Sequence, residues 1–544
     1  MTNSPQVKKA GWGVIAMLAA AQFIMVLDTT VMNVSITQVA EDLNTTVVGL
    51  QTAITMYTLV MASFMLLGGK LGDRWGAKRA FTVGLLVYGL GSLTTALAPT
   101  LEVLLVGWSF IEGFGAVLVI PAIATLTAAT YSGRQRALAY GILGGISGAA
   151  VALGPLIGGW VTANYTWRLV FAGETVIVLA LMLFLRLIPA TLGRQSKLDL
   201  SGAFLSAAGL GLAVFGVLRS SQWGWIAPSA SAPWTLLGLS PVFWLIIAGL
   251  VLLGFFARHE RAMIASGREP LLDVRLLEIP PMRAGLTTYL CQQFIIMGTF
   301  FVLPLYLQTV LGYDALETGI IILPLSMALF VFALAGARLA GRHSPKRIAA
   351  AGLLGMLAGE VLLLAFISPD LRSAGFAVAL ALVGAGNGLL VSQLGNVIMS
   401  SVPSARGSEA GGLQGTAMNL GASLGVALVG SILIASLVTN FQKAVISDPA
   451  LASIAPQLVE QAEASANFVS VEQVEATAEA AGLSPEEVEA VTAQYADAQI
   501  MALKVAFAAI AFFSLLALWY VQSLPTRPRD ELADGAPAAA GAAG

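Results

Sequence analysis

Fourteen runs of about 20 apolar residues follow one another along this chain, near 11–35, 47–68, 80–99, 101–126, 137–162, 169–189, 199–219, 241–257, 284–309, 317–337, 348–368, 374–400, 411–439 and 500–523. A helix of about 20 apolar residues crosses the hydrocarbon core of a bilayer, so each run is predicted to be one span. Charged residues make up 11% of the chain and hydrophobic ones 57%, whereas soluble globular proteins carry about 25% charged residues. The expected fold class is therefore an all-α polytopic membrane protein. The first run is too long for a secretory signal core and is read as a retained span.

Cationic loops stay on the cytoplasmic side of a membrane, which tests the span count. With an even number of spans and both termini cytoplasmic, 23 of the 28 Lys and Arg residues fall on the cytoplasmic face, and only Arg168, Arg219, Arg372, Lys443 and Lys504 fall outside it. An odd number would reverse part of that pattern. The net charge of −2 carries no sign of a nucleic-acid partner, because the basic residues are spread along one membrane face.

The segment Gly68-Gly69-Lys70-Leu71-Gly72-Asp73-Arg74-Trp75-Gly76-Ala77-Lys78-Arg79 recurs 268 residues later as Gly336-Ala337-Arg338-Leu339-Ala340-Gly341-Arg342-His343-Ser344-Pro345-Lys346-Arg347, with six of twelve positions agreeing in type. Each copy joins two apolar runs, which points to a duplicated membrane domain. If each copy is second in a six-span unit, residues 1–190 form one unit and 284–523 the other. Residues 191–283 then supply two inserted spans and a cytoplasmic bridge. Within the second unit, 441–499 is an external segment with ten acids from Asp448 to Asp497 against Lys443 alone. It is predicted to hold a hairpin of helices, with Ser484-Pro485-Glu486-Glu487 as N-cap, first-turn proline and capping-box glutamate. The tail 524–544 is expected to be disordered.

Several chemistries are not signalled. The lone Cys291 allows no disulfide framework or thiolate cluster, and no nucleotide-binding P-loop, metal-ligand spacing or nucleophile–base pattern appears. His259 and His343 are expected in solvated cytoplasmic loops. Energy would come from an ion gradient or from the substrate's own gradient, without a bound cofactor or metal, and the chain is not expected to be an enzyme.

Three motifs carry more. Gly69, Asp73, Arg74, Gly76, Lys78 and Arg79 form a hinge in which glycine allows close helix approach and Asp73 could meet the positive end of a facing helix. Gly154-Pro155-Leu156-Ile157-Gly158-Gly159 lies within span 5, where proline deletes a backbone hydrogen bond and glycine leaves a thin contact surface. Leu27-Asp28-Thr29-Thr30-Val31-Met32-Asn33 places a carboxylate in span 1. Together these resemble, in order, the inter-span 2–3 motif of the major facilitator superfamily, its antiporter motif, and the L-D-x-T-V-x-N motif of its fourteen-span drug:proton antiporter family. The resemblance covers almost the whole chain. It implies a major facilitator fold, with two six-helix bundles and two inserted helices rocking about a central cavity, and exchange of an exported compound for protons.

The chain departs from that pattern in two spans. Where R-x-x-Q-G is usual in span 4, it has Ser109-Phe110-Ile111-Glu112-Gly113, and where F-x-x-N-x-P is usual in span 6 it has Phe171-Ala172-Gly173-Glu174-Thr175-Val176. A basic residue is lost and two carboxylates are gained. An ionised carboxylate at mid-bilayer costs roughly 2.5–3.5 kcal/mol, so such groups are seldom kept without a partner, water or a role. Asp28 and Glu112 are the leading candidates for a proton and cation site, with Thr30, Asn33, Ser109 and Glu174 beside them. Span 6 is usually peripheral, which makes interhelical bonding the competing role for Glu174, as it is for Glu360. Cavity candidates are Trp108, Gln292, Gln293, Asn387, Gln393 and Asn396, each amide equally suited to joining helices. The expected activity is proton-coupled export of lipophilic drugs or secondary metabolites, cationic ones included, by a monomer in the cell membrane. A lipid exporter of the same fold and a non-transporting scaffold or sensor are the alternatives.

Overall fold

The computed structural model describes residues 12–131, 133–191, 193, 198–229, 231–340, 342–369, 374–402, 407–464, 467–524 and 526. Lys8, Lys9, Arg194, Lys197, Gly341, Arg372, Arg406, Arg527, Arg529 and the 527–544 tail lie outside the described residues, as do the side chains of Arg134 and Arg136. The long helices are Trp12–Val34 (α1), Val47–Trp75 (α2), Ala77–Ala96 (α3), Leu101–Thr130 (α4), Gly133–Asn164 (α5), Arg168–Leu183 (α6), Leu200–Trp223 (α7), Pro241–Ala265 (α8), Pro280–Val310 (α9), Ala315–Leu339 (α10), Pro345–Phe366 (α11), Ala374–Ser400 (α12) and Gly407–Ser447 (α13). Two short helices, Ala455–Ala464 (α14) and Val471–Ala480 (α15), precede the last long one, Pro485–Val521 (α16).

Capping chemistry explains many of the helix starts. Thr46 accepts from Gly49 N at 3.1 Å, Asp199 from Gly202 N at 2.9 Å, and Ser240 from Val242 N at 3.2 Å ahead of Pro241. Asp314 with Glu317, and Ser484 with Glu487, form capping boxes. The helix expected at Pro485 does begin there, but it runs without a break into the last span.

Among the described residues, eleven helices are long and apolar enough to cross a bilayer, or twelve with α5, which bends by 42° between Val151 and Leu153. The other two of the fourteen expected positions hold α3, diluted by Gly, Ser and Thr, and α6, only 16 residues long. Within the first half, α1 packs on α5, and α3 on α4 and α6. Within the second, α12 lies between α10 and α11, while α9, α13 and α16 pack together. The halves meet along two seams, α2 against α13 and α5 against α10, and the inserted α7–α8 pair rests against α2 and α13 through α7.

Contacts at the two ends of the bundle follow the alternation of loops. At one end, Lys78 Nζ donates to Ile188 O at 2.6 Å and Lys78 N to Thr191 Oγ1 at 3.0 Å, joining the α2–α3 turn to the segment after α6. At the other, Arg168 pairs with Asp42, donates to Ala98 O at 2.8 Å, and stacks 4.5 Å from the Trp167 ring. Arg168, an exception to the charge pattern, is thus held locally. His259 is not free in solvent as expected, because its Nε2 lies 2.9 Å from Asp199 at the base of α7. His343 is exposed.

Candidate functional site in the first helical bundle

Residues 105–112 of α4 wind as a π-helix, a form that often marks functional positions. This wider turn presents Trp108, Ser109 and Glu112 to the protein interior, all three fully buried. Trp108 Nε1 donates to both oxygens of Asp28 on α1, at 2.9 and 3.0 Å, and its ring stacks on Tyr57 of α2, with centroids 4.8 Å apart and planes 6° from parallel. Ser109, where the resemblance led one to expect arginine, donates to Ala53 O at 2.8 Å. No cation is supplied from that position.

Glu174 of α6 joins this group and is not peripheral. It accepts from Tyr88 at 3.1 Å and Ser92 at 3.3 Å, both on α3. Ligand-capable oxygens of Asp28, Glu112 and Glu174 all lie within 4.8 Å of one another. Both oxygens of Glu112 and one of Glu174 are buried without a hydrogen-bond partner. None of the ion pairs among the described residues involves the three acids. Buried carboxylates so close repel one another strongly in a medium of low dielectric. Such a set can share protons or hold a cation.

The backbone of α3 makes the approach possible. A methyl group added at Gly91 would lie 2.5–2.7 Å from N, Cβ and Cα of Glu112, so only a glycine lets α3 lie this close to the π-helical turn.

Other predicted site residues lie elsewhere. Thr30 donates to Leu27 O at 2.7 Å and faces Gly154, while Asn33 Nδ2 donates to Thr29 O at 2.7 Å and leaves its Oδ1 buried and unpartnered. Both serve α1 and its packing rather than the acid group. In the second half, Gln292 bonds Asn387, and Gln393 Nε2 donates to Gly336 O at 3.0 Å. Gln293 and Asn396 are half-buried. These amides join helices: Gln292 with Asn387 ties α9 to α12, and Gln393 ties α12 to α10. Glu360 accepts from Ser514 at 2.7 Å, tying α11 to α16, as expected of a structural acid.

The two glycine motifs lie at interfaces. Pro155 has no N–H for the Val151 carbonyl, and Ser326 Oγ of α10 approaches that carbonyl across the seam at 3.5 Å. Nearby, Gly158 packs on Val31, Gly159 on Ala315 O and Gly319 on Pro155 O. In the hinge, Gly76 turns the chain at φ +86° with the Thr191 carbonyl against it. Arg74 and Arg79 are exposed, whereas Gly69 has no atom within 4 Å of an added methyl. Lys70 approaches Glu409 of α13 at 3.8 Å, a link between the halves that the sequence motif did not reveal.

The sequence profile of the Major Facilitator Superfamily matches residues 18–426. The chain belongs to this superfamily. It is 30% identical over 426 residues to the puromycin resistance protein of Streptomyces alboniger, covering 77% of this chain and 81% of that one. It is 28% identical over 430 residues to the tetracenomycin C resistance and export protein of Streptomyces glaucescens, covering 78% and 76%. Among solved structures, an inward-facing bacterial homologue of the human lysosomal transporter Spinster superposes with a TM-score of 0.60 at 14% identity, covering 96% of this chain and 98% of that one. This major facilitator protein is thus a multi-pass, all-helical membrane transporter by family and fold.

Proposed function

We propose that this transporter exports lipophilic compounds, cationic ones included, in exchange for protons, by alternating access of its two halves. The reading rests on the convergence of Asp28, Glu112 and Glu174 within 4.8 Å, with no ion-pair partner among the described residues. A group of buried acids is stable when it carries protons, and releasing them gives a negative site next to the Tyr57–Trp108 stack. That combination suits a lipophilic cation, through charge and through the ring faces. The drug-resistance relatives support export of such molecules. In this reading the protein acts as a monomer in the cell membrane, driven by the proton gradient without a bound cofactor.

The hinge and the span 5 motif serve the conformational cycle. Asp73 gates from the cytoplasmic end of α2, and the Pro155 region lets α5 flex against α10.

Everted membrane vesicles test the reading. An imposed proton gradient should drive uptake of a lipophilic cationic dye, and a protonophore should abolish it. Asp28→Asn and Glu112→Gln should each remove gradient-driven accumulation while the protein remains folded and inserted. Normal accumulation by both variants would overturn the site assignment. If the wild type moves no dye but translocates a labelled lipid, the protein is a lipid exporter instead; if a folded wild type does neither, it is a scaffold.

A further inference from the structure

From Ser220 to Ala257 the chain carries no charged residue, although this stretch includes the whole connection between α7 and α8. An ordinary aqueous loop is polar. This one shows Trp225, Ile226, Trp234, Leu236 and Leu237 to the outside, 43 to 83% exposed, with Leu237 the most exposed. The surface continues into α8, whose flank from Ile247 to Phe255 is also apolar and exposed.

The connection is folded on itself. Ser240 Oγ donates to Trp223 O at 3.0 Å and to Gly224 O at 2.6 Å, Ser240 N to Ile226 O at 2.8 Å, and Trp244 Nε1 to Leu236 O at 3.1 Å. At its tip Leu236 and Leu239 exchange backbone hydrogen bonds of 3.3 and 3.0 Å around a two-residue turn. Both turn residues have positive φ, Leu237 at +53° and Gly238 at +74°. Asn, Asp or Gly normally fills the first of these positions, because a larger side chain is strained there. Here the strain is accepted to hold a leucine 83% exposed at the apex. In water both the backbone and the side chain would be unfavourable.

An apolar phase at the apex removes the cost of exposing the side chain and so offsets the backbone strain. The opposite end of the same hairpin carries Asp199, His259, Arg258 and Arg261, and positive residues mark the cytoplasmic side, so the apex points to the outer leaflet. Tryptophan favours the headgroup level, and aliphatic side chains the region below it. We propose that the α7–α8 turn is a lipid-seated anchor, with Leu236 and Leu237 below the outer headgroups and Trp225 and Trp234 among them. The anchor bears on the transport machinery through α7, because Ser431 Oγ of α13 donates to Val217 O at 3.1 Å and Leu218 O at 3.2 Å. The inserted pair thus holds the α2–α13 seam at a set depth in the membrane.

Fluorescence depth measurement tests this. With Cys291 replaced by Ala, Leu237→Cys carries an environment-sensitive nitrobenzoxadiazole label in phosphatidylcholine–phosphatidylglycerol proteoliposomes. The expected result is blue-shifted emission, largely lost to lipids bearing a nitroxide near the headgroup and unaffected by aqueous iodide. Quenching by iodide with red-shifted emission would put the turn in water and overturn the proposal. Emission that self-quenches with increasing protein density and ignores nitroxide lipids would assign the surface to a second copy of the chain, and also overturn it. The same label at Trp234→Cys gives a second reading should the apex variant fold poorly, with quenching expected from the headgroup nitroxide alone.

Discussion

Gly91 decides how closely α3 can approach the π-helical turn of α4 that carries Glu112. Its replacement by Ala forces the backbones apart, because the new methyl would sit 2.5 Å from Glu112 N. Overpacking of this kind costs about 1–3 kcal/mol. Gly91→Ala should therefore lower the unfolding midpoint in detergent and reduce gradient-driven transport together, whereas Gly211→Ala, where an added methyl meets nothing within 4 Å, should leave both unchanged. The acids themselves were legible from the sequence, since Asp28, Glu112 and Glu174 stand out in apolar runs. Their meeting was less so. Glu174 seemed peripheral because span 6 usually is in the resembled fold, and its partners Tyr88 and Ser92 come from a different helix, 86 and 82 residues away. Thr30 and Asn33 illustrate the converse: hydroxyl and amide donors in an apolar helix can bond carbonyls one turn back, and no local pattern shows which will do so.

The inserted hairpin shows what holds a single element at the membrane surface. Asp199 caps α7 through Gly202 N and also meets His259 from α8, and its neighbour Glu260 accepts from Leu272 N at 3.2 Å. Burial pushes the Asp199 carboxyl up, but the Gly202 N–H and His259 outweigh that and hold it below its ordinary value of 3.8. A depressed folded-state pKa contributes stability that is present above the unfolded value and lost as pH falls through the folded one. Asp199→Ala should cost about 1–2 kcal/mol at neutral pH, on the scale of a lost cap. Thermal unfolding of the two proteins should converge as pH is lowered below about 4. If the gap persists there, the loss comes from packing rather than from charge. The sequence marked the helix start at Ser484, where a serine precedes proline, and the structure shows the same serine–proline start at Ser240 and Ser344. The sequence did not mark the π-helical segments at 105–112 and 306–310, because one extra residue per turn leaves no composition signal.

Across the whole molecule, polar links between the halves run along the seams, where Gln51 Nε2 donates to Val426 O and Ala427 O at 3.1 Å and Ser423 Oγ to Thr55 O at 3.0 Å, and further links sit at the two ends. Near the outer end, Gln308 on α9 bonds Thr37 and donates to Val34 O at 2.6 Å. At the other end Lys70 faces Glu409. Alternating access requires such links to break in turn, each being worth on the order of 1 kcal/mol. Gln308→Ala should raise the population open to the outside and Lys70→Ala the population open to the cytoplasm, each by roughly five-fold for 1 kcal/mol. Spin-label distances across the outer ends of α1 and α9 read both shifts; equal distances in the two variants would remove these contacts from the gate. The repeated hinge announced two halves in the sequence, yet it said nothing of Gln308 or Glu409, which lie outside any recognisable motif and acquire meaning only when the halves are placed together.

The last helix has a mechanical consequence. At 37 residues and 1.5 Å per residue, α16 is about 55 Å long, whereas the hydrocarbon core is about 30 Å thick. Roughly 25 Å of rigid rod therefore stands beyond the bilayer, with α15 packed against it. A tilt of about 10° about the middle of the membrane, roughly 40 Å from the tip, would swing the tip by about 7 Å. The acidic head is therefore the far arm of a lever rooted in the second bundle, so that any tilt of α16 within the membrane is magnified at its tip.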